Sequence, residues 1–301
     1  MISGLLGACG GAEGPGEARP GSLEVPVPDA SVPGPATDWR ELQRERYPEL
    51  VDELVKLERR VERRPEVAAL RSKLGRLTFQ LGQSELAREH LAAALELDPA
   101  HYQAHYNLGV LEMSQGDFEA AARSFLACVG EAPGFPAAHR DLGLAQLELG
   151  REARALASFQ VCLELDPTDA ECAYRQGQLQ SDADPERARA SMTLALELDP
   201  YHLGAASALA RLERAAGRDD EAQRWQDRHA RLSLLSDLGL LGEPTSLRRY
   251  CVEAEYYRKH GRLEAALETC REGLERYPDS STLSDLHAAV ATGSELSGGA
   301  E

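Results

Sequence analysis

Residues 102–133 read YQAHYNLGVLEMSQGDFEAAARSFLACVGEAP, and this stretch decides the fold of the chain. Apolar and small side chains recur at helical spacing on both sides of Gly116-Asp117, which predicts two amphipathic helices joined by a turn. Pro133 ends the second helix, because proline has no backbone N–H to continue the hydrogen-bond ladder.

The same punctuation recurs along the chain. The closing prolines are spaced by 34 residues, and the last comes one residue early: Pro99, Pro133, Pro167 and Pro200. Fixed-period self-similarity is typical of stacked helix pairs that bury a continuous core between neighbours. An aromatic content of only 5% also favours helices over sheets. We therefore predict an all-α fold, an α-solenoid of antiparallel helix pairs.

The repeats resemble tetratricopeptide repeats, which carry Leu-Gly in the first helix, a small residue and an aromatic in the second, and proline at the end. The second regular repeat matches with Leu108-Gly109, Ala121, Phe125 and Pro133. The first and third match at Leu74-Gly75, Ala87, Leu91 and Pro99, and at Leu142-Gly143, Ala155, Phe159 and Pro167. The resemblance implies a right-handed solenoid whose first helices line an inner groove for part of another protein.

Composition and period together divide the chain into six segments. We expect a disordered Gly/Pro-rich tether, an N-terminal helical cap or degenerate repeat, repeats one to five, an apolar insertion, a sixth repeat, and a capping helix with a tail. Their ranges are 1–37, 38–67, 68–229, 230–246, 247–280 and 281–301. The insertion is dense in leucine. It either extends a helix and fills the gap before the sixth repeat or exposes a patch for self-association or a partner.

The start of the chain supports an alternative function. Leu6-Gly7-Ala8-Cys9 resembles a bacterial lipobox, which implies lipidation of Cys9 and a lipid-anchored assembly or trafficking factor at a bacterial envelope. Only eight residues precede Cys9 and none is basic, so this interpretation needs a start upstream of Met1. The expected location is accordingly the cytoplasm, or the periplasm and its membrane if Cys9 is lipidated.

The charge balance excludes some classes of partner. A net charge of −17 and a pI of about 5.0 repel nucleic acid and anionic membrane surfaces. The chain has no apolar run of the length that a transmembrane helix needs. We therefore expect a protein or peptide partner, with no nucleic acid and no transmembrane segment.

The sequence lacks the motifs of known catalytic sites. HExxH, GxSxG and Walker-type loops are absent, so we predict a non-enzymatic protein without a cofactor; an enzyme subunit with a targeting role is the weakest hypothesis. His101 and His105 have metal-ligand spacing on a helix. His139, however, stands one repeat after His105. This spacing favours a periodic structural role for His105 and His139, and we predict no metal site.

The cysteines also follow the repeat. None forms a CxxC pair, which argues against zinc. Cys128 and Cys162 stand where Ala94 and Ala195 stand in other repeats. We therefore predict that both are small packing residues rather than reactive thiols.

The predicted groove residues come from the positions of the first helices that face inward in the family. They are Lys73, Arg76, Tyr106, Asn107, Arg140, Tyr174, Arg175 and Arg211. Cations dominate this set although the whole chain is acidic, so the groove suits an acidic segment held by bidentate arginines. The alternative is that these arginines pair with acids of adjacent repeats. A chaperone-type carboxylate clamp is matched only at Asn107, because Asp141 stands where a cation is required.

Overall fold

The computed structural model describes residues 39–241 and 246–292, and the regular secondary structure within these ranges is entirely α-helical. The chain divides into two compact units, residues 1–149 and 150–301. The helices of unit 1 are α1 Trp39–Arg46, α2 Pro48–Arg63, α3 Ala68–Gln80, α4 Ser84–Leu97, α5 Tyr102–Ser114, α6 Phe118–Glu131 and α7 Pro136–Glu148. The tether predicted at 1–37, with Cys9, and the tail after 292 lie outside the described residues.

Unit 2 continues the alternation of first and second helices. Its helices are α8 Glu152–Leu165, α9 Ala170–Gln180, α10 Pro185–Leu198, α11 Leu203–Ala215, α12 Asp219–Asp237, α13 Leu247–Lys259, α14 Leu263–Arg276 and α15 Ser281–Thr292. The most extensive packing within it joins α9 to α10, α11 to α12 and α13 to α14. These pairs confirm the all-α, helix-pair fold that the period predicts.

The turn between α5 and α6 shows how the sequence ends and restarts a helix. Gly116 has a φ of +76°, a left-handed conformation that glycine adopts without steric cost. Asp117 then donates its backbone N–H to the Glu112 carbonyl, at 3.0 Å, and its side chain accepts from the Ala120 N–H, also at 3.0 Å. This aspartate closes one helix and caps the next.

The helix pair α5–α6 packs as closely as its sequence pattern predicts. A Cβ at Gly109 would lie 2.6 Å from the ring of Phe125, so only glycine fits at this crossing. Phe125 and Ala121 are fully buried and share a cluster with Leu142 and Ala145 of α7. The second helix of one repeat thus forms the core with the first helix of the next.

The N-terminal end of unit 1 is covered by α2. Pro48 occupies the first turn of this helix, where its missing N–H has no consequence. Val51, Leu54 and Leu57 are buried against Leu74 and other apolar residues of α3. The second helix of a repeat has the same role elsewhere in the chain.

Much of the leucine-rich insertion extends helix α12 and packs within unit 2. Helix α12 runs on to Asp237, so it is longer than the other second helices. Leu232, Leu235 and Leu240 are buried, whereas Leu238 is 38% exposed. Leu232 lies in the same cluster as Met192 of α10, which means that the insertion adds to the core of this unit.

A disulfide joins two repeats within unit 2. Cys162 of α8 is bonded to Cys172 of α9, and neither residue has exposed surface. The prediction that Cys162 is only a packing residue is therefore wrong. The repeat period identifies the equivalents of a residue in other repeats. It does not identify the residue that it contacts across the interface between two helices. Cys128, at the equivalent position, is a free thiol whose pKa burial raises to about 11.

Candidate functional site

The candidate site consists of the side chains on the first helices, and it is described separately for each unit. We define the first-helix face of unit 1 as Ser72, Lys73, Arg76, Tyr106, Asn107, Arg140 and Asp141. We define the first-helix face of unit 2 as Glu171, Tyr174, Arg175, Ser207, Ala208, Arg211, Arg248, Glu255 and Arg258. All eight predicted groove residues belong to one face or the other.

In unit 1 the centre of the face is a partly buried phenol hydrogen-bonded to a carboxylate. The Tyr106 hydroxyl donates to Asp141 Oδ2 at 2.8 Å, and Arg140 Nε donates to Asp141 Oδ1 at 3.2 Å. Burial, followed by the negative charge of Asp141, raises the pKa of Tyr106 far above its usual value. Asp141 therefore ties α5 to α7 and neutralises Arg140.

The remaining residues of this face also have partners. Asn107 Nδ2 donates to Ser72 Oγ at 3.3 Å, which joins α5 to α3. Arg76 donates to Gln80 Oε1 at 3.1 Å within α3. Lys73 Nζ lies 3.4 Å from Glu53 Oε1 of α2, with nearly half of the lysine side chain exposed. Asn107, the one residue that matches the chaperone clamp, is thus engaged in holding two repeats together.

In unit 2 the Glu171 carboxylate, at the start of α9, interacts with both an arginine and a histidine. Arg175 Nε donates to Glu171 Oε1 at 2.7 Å, and His202 Nε2 lies 3.4 Å from Glu171 Oε2. Burial alone would raise the pKa of this carboxyl. The hydrogen bond from His202 and the Arg175 guanidinium outweigh burial and hold the pKa at about 2.

Tyr174 is enclosed by these groups and is only 8% exposed. Its ring packs against His202 with centroids 4.6 Å apart, and its hydroxyl accepts a hydrogen bond from Gln178 at 2.9 Å. A Cβ at Gly204 of α11 would lie 2.8 Å from the Tyr174 hydroxyl oxygen. Tyr174 is therefore a packing residue between α9 and α11 rather than a residue that projects from the face.

Arg211 differs from the other predicted cations. It is exposed on α11 and makes no hydrogen bond or ion pair with any residue in 39–241 or 246–292. Arg248, at the start of α13, is exposed and likewise unpaired within these ranges. By contrast, Arg258 donates twice to Glu255, at 2.7 Å for each bond. On the first-helix face of unit 2, the described cations available to a ligand are thus Arg211 and Arg248.

Sequence reasoning missed Glu171 and His202, which organise the first-helix face of unit 2. Glu171 and His202 were not among the predicted site residues, although Glu171 stands four residues before Arg175, where a helix brings the two side chains together. The alternative of arginines paired with acids describes Arg140 and Arg175. Their partners, Asp141 and Glu171, lie on the same helix rather than on the adjacent repeat.

The two histidines spaced by one repeat have the same contact. His105 Nε2 donates to the Pro99 carbonyl and His139 Nε2 to the Pro133 carbonyl, both at 2.8 Å. Each histidine thus binds the proline that closes the preceding repeat. This contact confirms the periodic structural role predicted for both.

One group of metal-ligand types occurs among the described residues. The donor atoms of Cys162, Asp169 and Cys172 lie within 4.8 Å of one another. The two sulfurs form the disulfide, and Asp169 accepts the Cys172 backbone N–H at 2.9 Å as the cap of α9. These contacts give each of the three a structural role. Within the described ranges, every helix is too short or too polar to cross a bilayer.

Comparisons with known proteins agree with this architecture. A sequence model described as "Tetratricopeptide repeat" matches residues 72–136 and 111–170. No curated protein sequence matches the chain. Among solved structures, the chain is similar to YrrB, with 20% identity, a TM-score of 0.53, and coverage of 58% of this chain and 91% of YrrB.

Two further solved structures have the same degree of similarity. MamA from Desulfovibrio magneticus RS-1 is 20% identical, with a TM-score of 0.52 and coverage of 56% of this chain and 97% of MamA. PilF of Pseudomonas aeruginosa is 19% identical, with a TM-score of 0.51 and coverage of 75% and 98%. At such identities the likeness concerns the fold alone. The repeat pattern, the helix pairs and the sequence match agree, and the chain contains tetratricopeptide repeats over residues 72–170.

Proposed function

We propose that this protein is a non-enzymatic interaction scaffold and that the first-helix face of unit 2 binds a carboxylate-bearing segment of another protein. The tetratricopeptide fold suits an interaction scaffold, because its stacked helix pairs expose an extended surface for recognition. YrrB, one of the similar structures, is described as having an unusual peptide-binding site. That description concerns YrrB, and the argument for this chain rests on its own residues.

The observation that carries the proposal is the state of Arg211. Other predicted cations, such as Lys73, Arg140 and Arg175, lie close to acids of the chain, whereas Arg211 is exposed with all its donors unused by described residues. A guanidinium in this state can form two parallel hydrogen bonds with a carboxylate. Arginine is also enriched among the residues that dominate binding energy at interfaces.

The surroundings of Arg211 leave room for a bound chain. Ser207 and Ala208 take the positions on α11 that Tyr174 and Arg175 take on α9. The small Ser207 side chain is partly exposed and leaves space beside the helix, whereas Ala208 is buried in the core of unit 2. Arg248 on α13 supplies a second unpaired cation on the same face. The preferred ligand therefore carries at least one carboxylate.

The test is selection of peptides from a random display library on the full-length protein, followed by measurement of Kd by fluorescence anisotropy. We expect enrichment of Asp and Glu in the selected peptides. Arg211→Glu should weaken their binding about tenfold or more, since it removes charge-assisted hydrogen bonds and adds a repulsion.

The matched control is Arg271→Glu. Arg271 is an exposed arginine of α14 that also lacks a partner among the described residues, but it lies on a second helix. This variant has the same net charge as Arg211→Glu and should bind within about twofold of wild type. Equal losses of peptide affinity in the two variants would show that Arg211→Glu acts only through the net charge of the protein. Selected peptides without acidic residues would contradict the proposed ligand chemistry.

A further inference from the structure

The interface between consecutive repeats has one pair of positions that is nearly constant along the chain. The pair joins the second helix of one repeat to the first helix of the next, and the second position follows the first by 10 in the sequence. The four pairs are Ala94 with Ala104, Cys128 with Ala138, Cys162 with Cys172, and Ala195 with Ala205. All eight residues have no exposed surface. Alanine therefore satisfies the packing, and only the third pair has two cysteines.

We propose that Cys162 and Cys172 are a site of oxidative modification, and that this protein matures in a compartment where a thiol oxidant joins them as the chain folds. Packing does not require the cysteines, because alanine fills the same positions at two other interfaces. Buried structural disulfides are typical of oxidising compartments and rare where glutathione and thioredoxin keep thiols reduced. The inference is independent of the proposed peptide binding.

The reaction is a two-step thiol–disulfide exchange with the disulfide of an oxidoreductase. The thiolate of one cysteine attacks a sulfur of that disulfide, forms a mixed disulfide and releases the second sulfur of the oxidant as a thiolate. The thiolate of the other cysteine then attacks the mixed disulfide and displaces the oxidant. The chain loses two electrons and two protons, and the oxidant gains them as a dithiol.

Burial decides when this reaction can occur. Both sulfurs are enclosed between α8 and α9, so neither an oxidant nor a reductant reaches them in the folded protein. The bond must form before the two helices close, and afterwards it is broken only when they separate. The pair is therefore a permanent link rather than a rapid switch.

The disulfide lies at the repeat that departs from the regular pattern in length. Helix α9 has 11 residues, whereas the first helices α5, α7 and α11 have 13 each. The fourth repeat is also one residue short of the period. A covalent bond at the start of α9 fixes the helix that carries Glu171, Tyr174 and Arg175.

The decisive experiment determines the state of the pair in the cells that make the protein. Cells are quenched in acid, and free thiols are alkylated under denaturing conditions before reduction. No Lys or Arg lies between Arg154 and Arg175, so trypsin leaves both cysteines in one peptide. Cleavage at Glu164 separates them. We expect two peptides joined by a disulfide, with Cys128 alkylated; full alkylation of Cys162 and Cys172 would overturn the proposal.

Purified variants test the role of the link in stability. Dithiothreitol should lower the Tm of the unfolding of unit 2 by about 5–10 °C, as expected for loss of one disulfide in a unit of this size. Cys162→Ala with Cys172→Ala recreates the alanine pair of other interfaces. This double variant should fold and unfold at the Tm of the wild type in dithiothreitol. Its own Tm should not change when dithiothreitol is added.

Cys128→Ala is the matched control, because it removes the equivalent cysteine whose opposite position holds alanine. It should keep the full response to dithiothreitol. In the wild type, the rate of reduction should level off at high dithiothreitol concentration, where separation of α8 from α9 limits it. Zinc retained on reduced Cys162 and Cys172 by protein purified without reductant would overturn the proposal, as would a wild-type Tm that dithiothreitol does not change.

Discussion

The hydroxyl of Tyr106 donates a 2.8 Å hydrogen bond to Oδ2 of Asp141, a residue that is 35 positions later and one repeat further along the chain. The bond joins the first helices α5 and α7, whereas the apolar core of each repeat lies between first and second helices. The first-helix face of unit 1 thus has a polar connection between repeats in addition to apolar packing. Its residues hold the repeats in register as well as presenting a surface.

Tyr106→Phe tests this connection. Removal of the hydroxyl leaves the Asp141 carboxylate with one partner fewer in a half-buried site, so we expect a loss of about 1–2 kcal/mol in the free energy of unfolding. Urea unfolding followed by circular dichroism measures it. Tyr102→Phe is the control, since among the described residues the Tyr102 hydroxyl is hydrogen-bonded only to exposed Gln103. Equal stability of both variants would show that the bond to Asp141 contributes nothing.

Gly109→Ala should disrupt the packing of α5 on α6. The added methyl group would lie 2.6 Å from the ring of Phe125, which is fully buried. We expect destabilisation of about 1–3 kcal/mol. In α6, a Cβ at Gly130 would meet no atom within 4 Å, so Gly130→Ala should instead be neutral or stabilise by up to about 1 kcal/mol. Denaturant titration of both variants measures the two free energies, and a stable Gly109→Ala would contradict the close approach.

The stability of unit 2 should depend on pH through Glu171. The pKa of this carboxyl in the folded chain is about 2, below its ordinary value of 4.5, so ionisation favours the folded state by on the order of 2–3 kcal/mol. The contribution is complete above about pH 5 and is lost as the pH falls from 4.5 towards 2. Glu171→Gln should therefore destabilise the protein at neutral pH and have little effect near pH 2.

Urea unfolding at a series of pH values measures the difference between wild type and Glu171→Gln. Glu275→Gln is the control, because Glu275 is an exposed glutamate of α14 with no partner among the described residues. Its difference from wild type should be small at every pH. A difference for Glu171→Gln that stays constant between pH 7 and pH 2 would contradict the lowered pKa.

The repeated histidine contact should have the same energy in successive repeats. His105→Ala and His139→Ala each remove a 2.8 Å hydrogen bond to a proline carbonyl, and each should cost about 0.5–1.5 kcal/mol. The double variant should lose the sum of the two, since the bonds share no partner. Urea unfolding of the three variants checks this. A stabilisation of the wild type by zinc that either variant abolishes would support a metal site instead.

The repeat architecture was predictable because it depends on the spacing of residues that are close in the sequence. A proline every 34 residues, a glycine in the first helix and a small residue in the second are each sufficient to place a helix end or a close contact, and Gly109 lies against Phe125 as that pattern predicts. The repetition also predicted the role of His105 and His139. A contact that recurs with the period can be recognised without knowing the distance between its partners.

The predicted groove was only partly informative, because position in a repeat does not determine the partner of a charge. Arg140, Arg175 and Arg211 are all arginines of first helices, yet the first two are bonded to Asp141 and Glu171 and the third is unpaired among the described residues. Tyr174 was predicted to face a ligand and is buried instead. Arg140 and Arg175 each have an acid beside them on their own helix, whereas Tyr174 is buried because α9 packs against α11.

The sequence by itself determined the helix pairs, their order and their closing residues, because each depends on residues within about one period of each other. The tertiary structure alone decided that Cys162 meets Cys172, that Asp141 holds Tyr106, and that Arg211 keeps its donors unused. Each of these outcomes depends on which atoms come within bonding distance when one helix packs on the next. Such distances are set by the packing of the whole repeat and not by the spacing of any single residue.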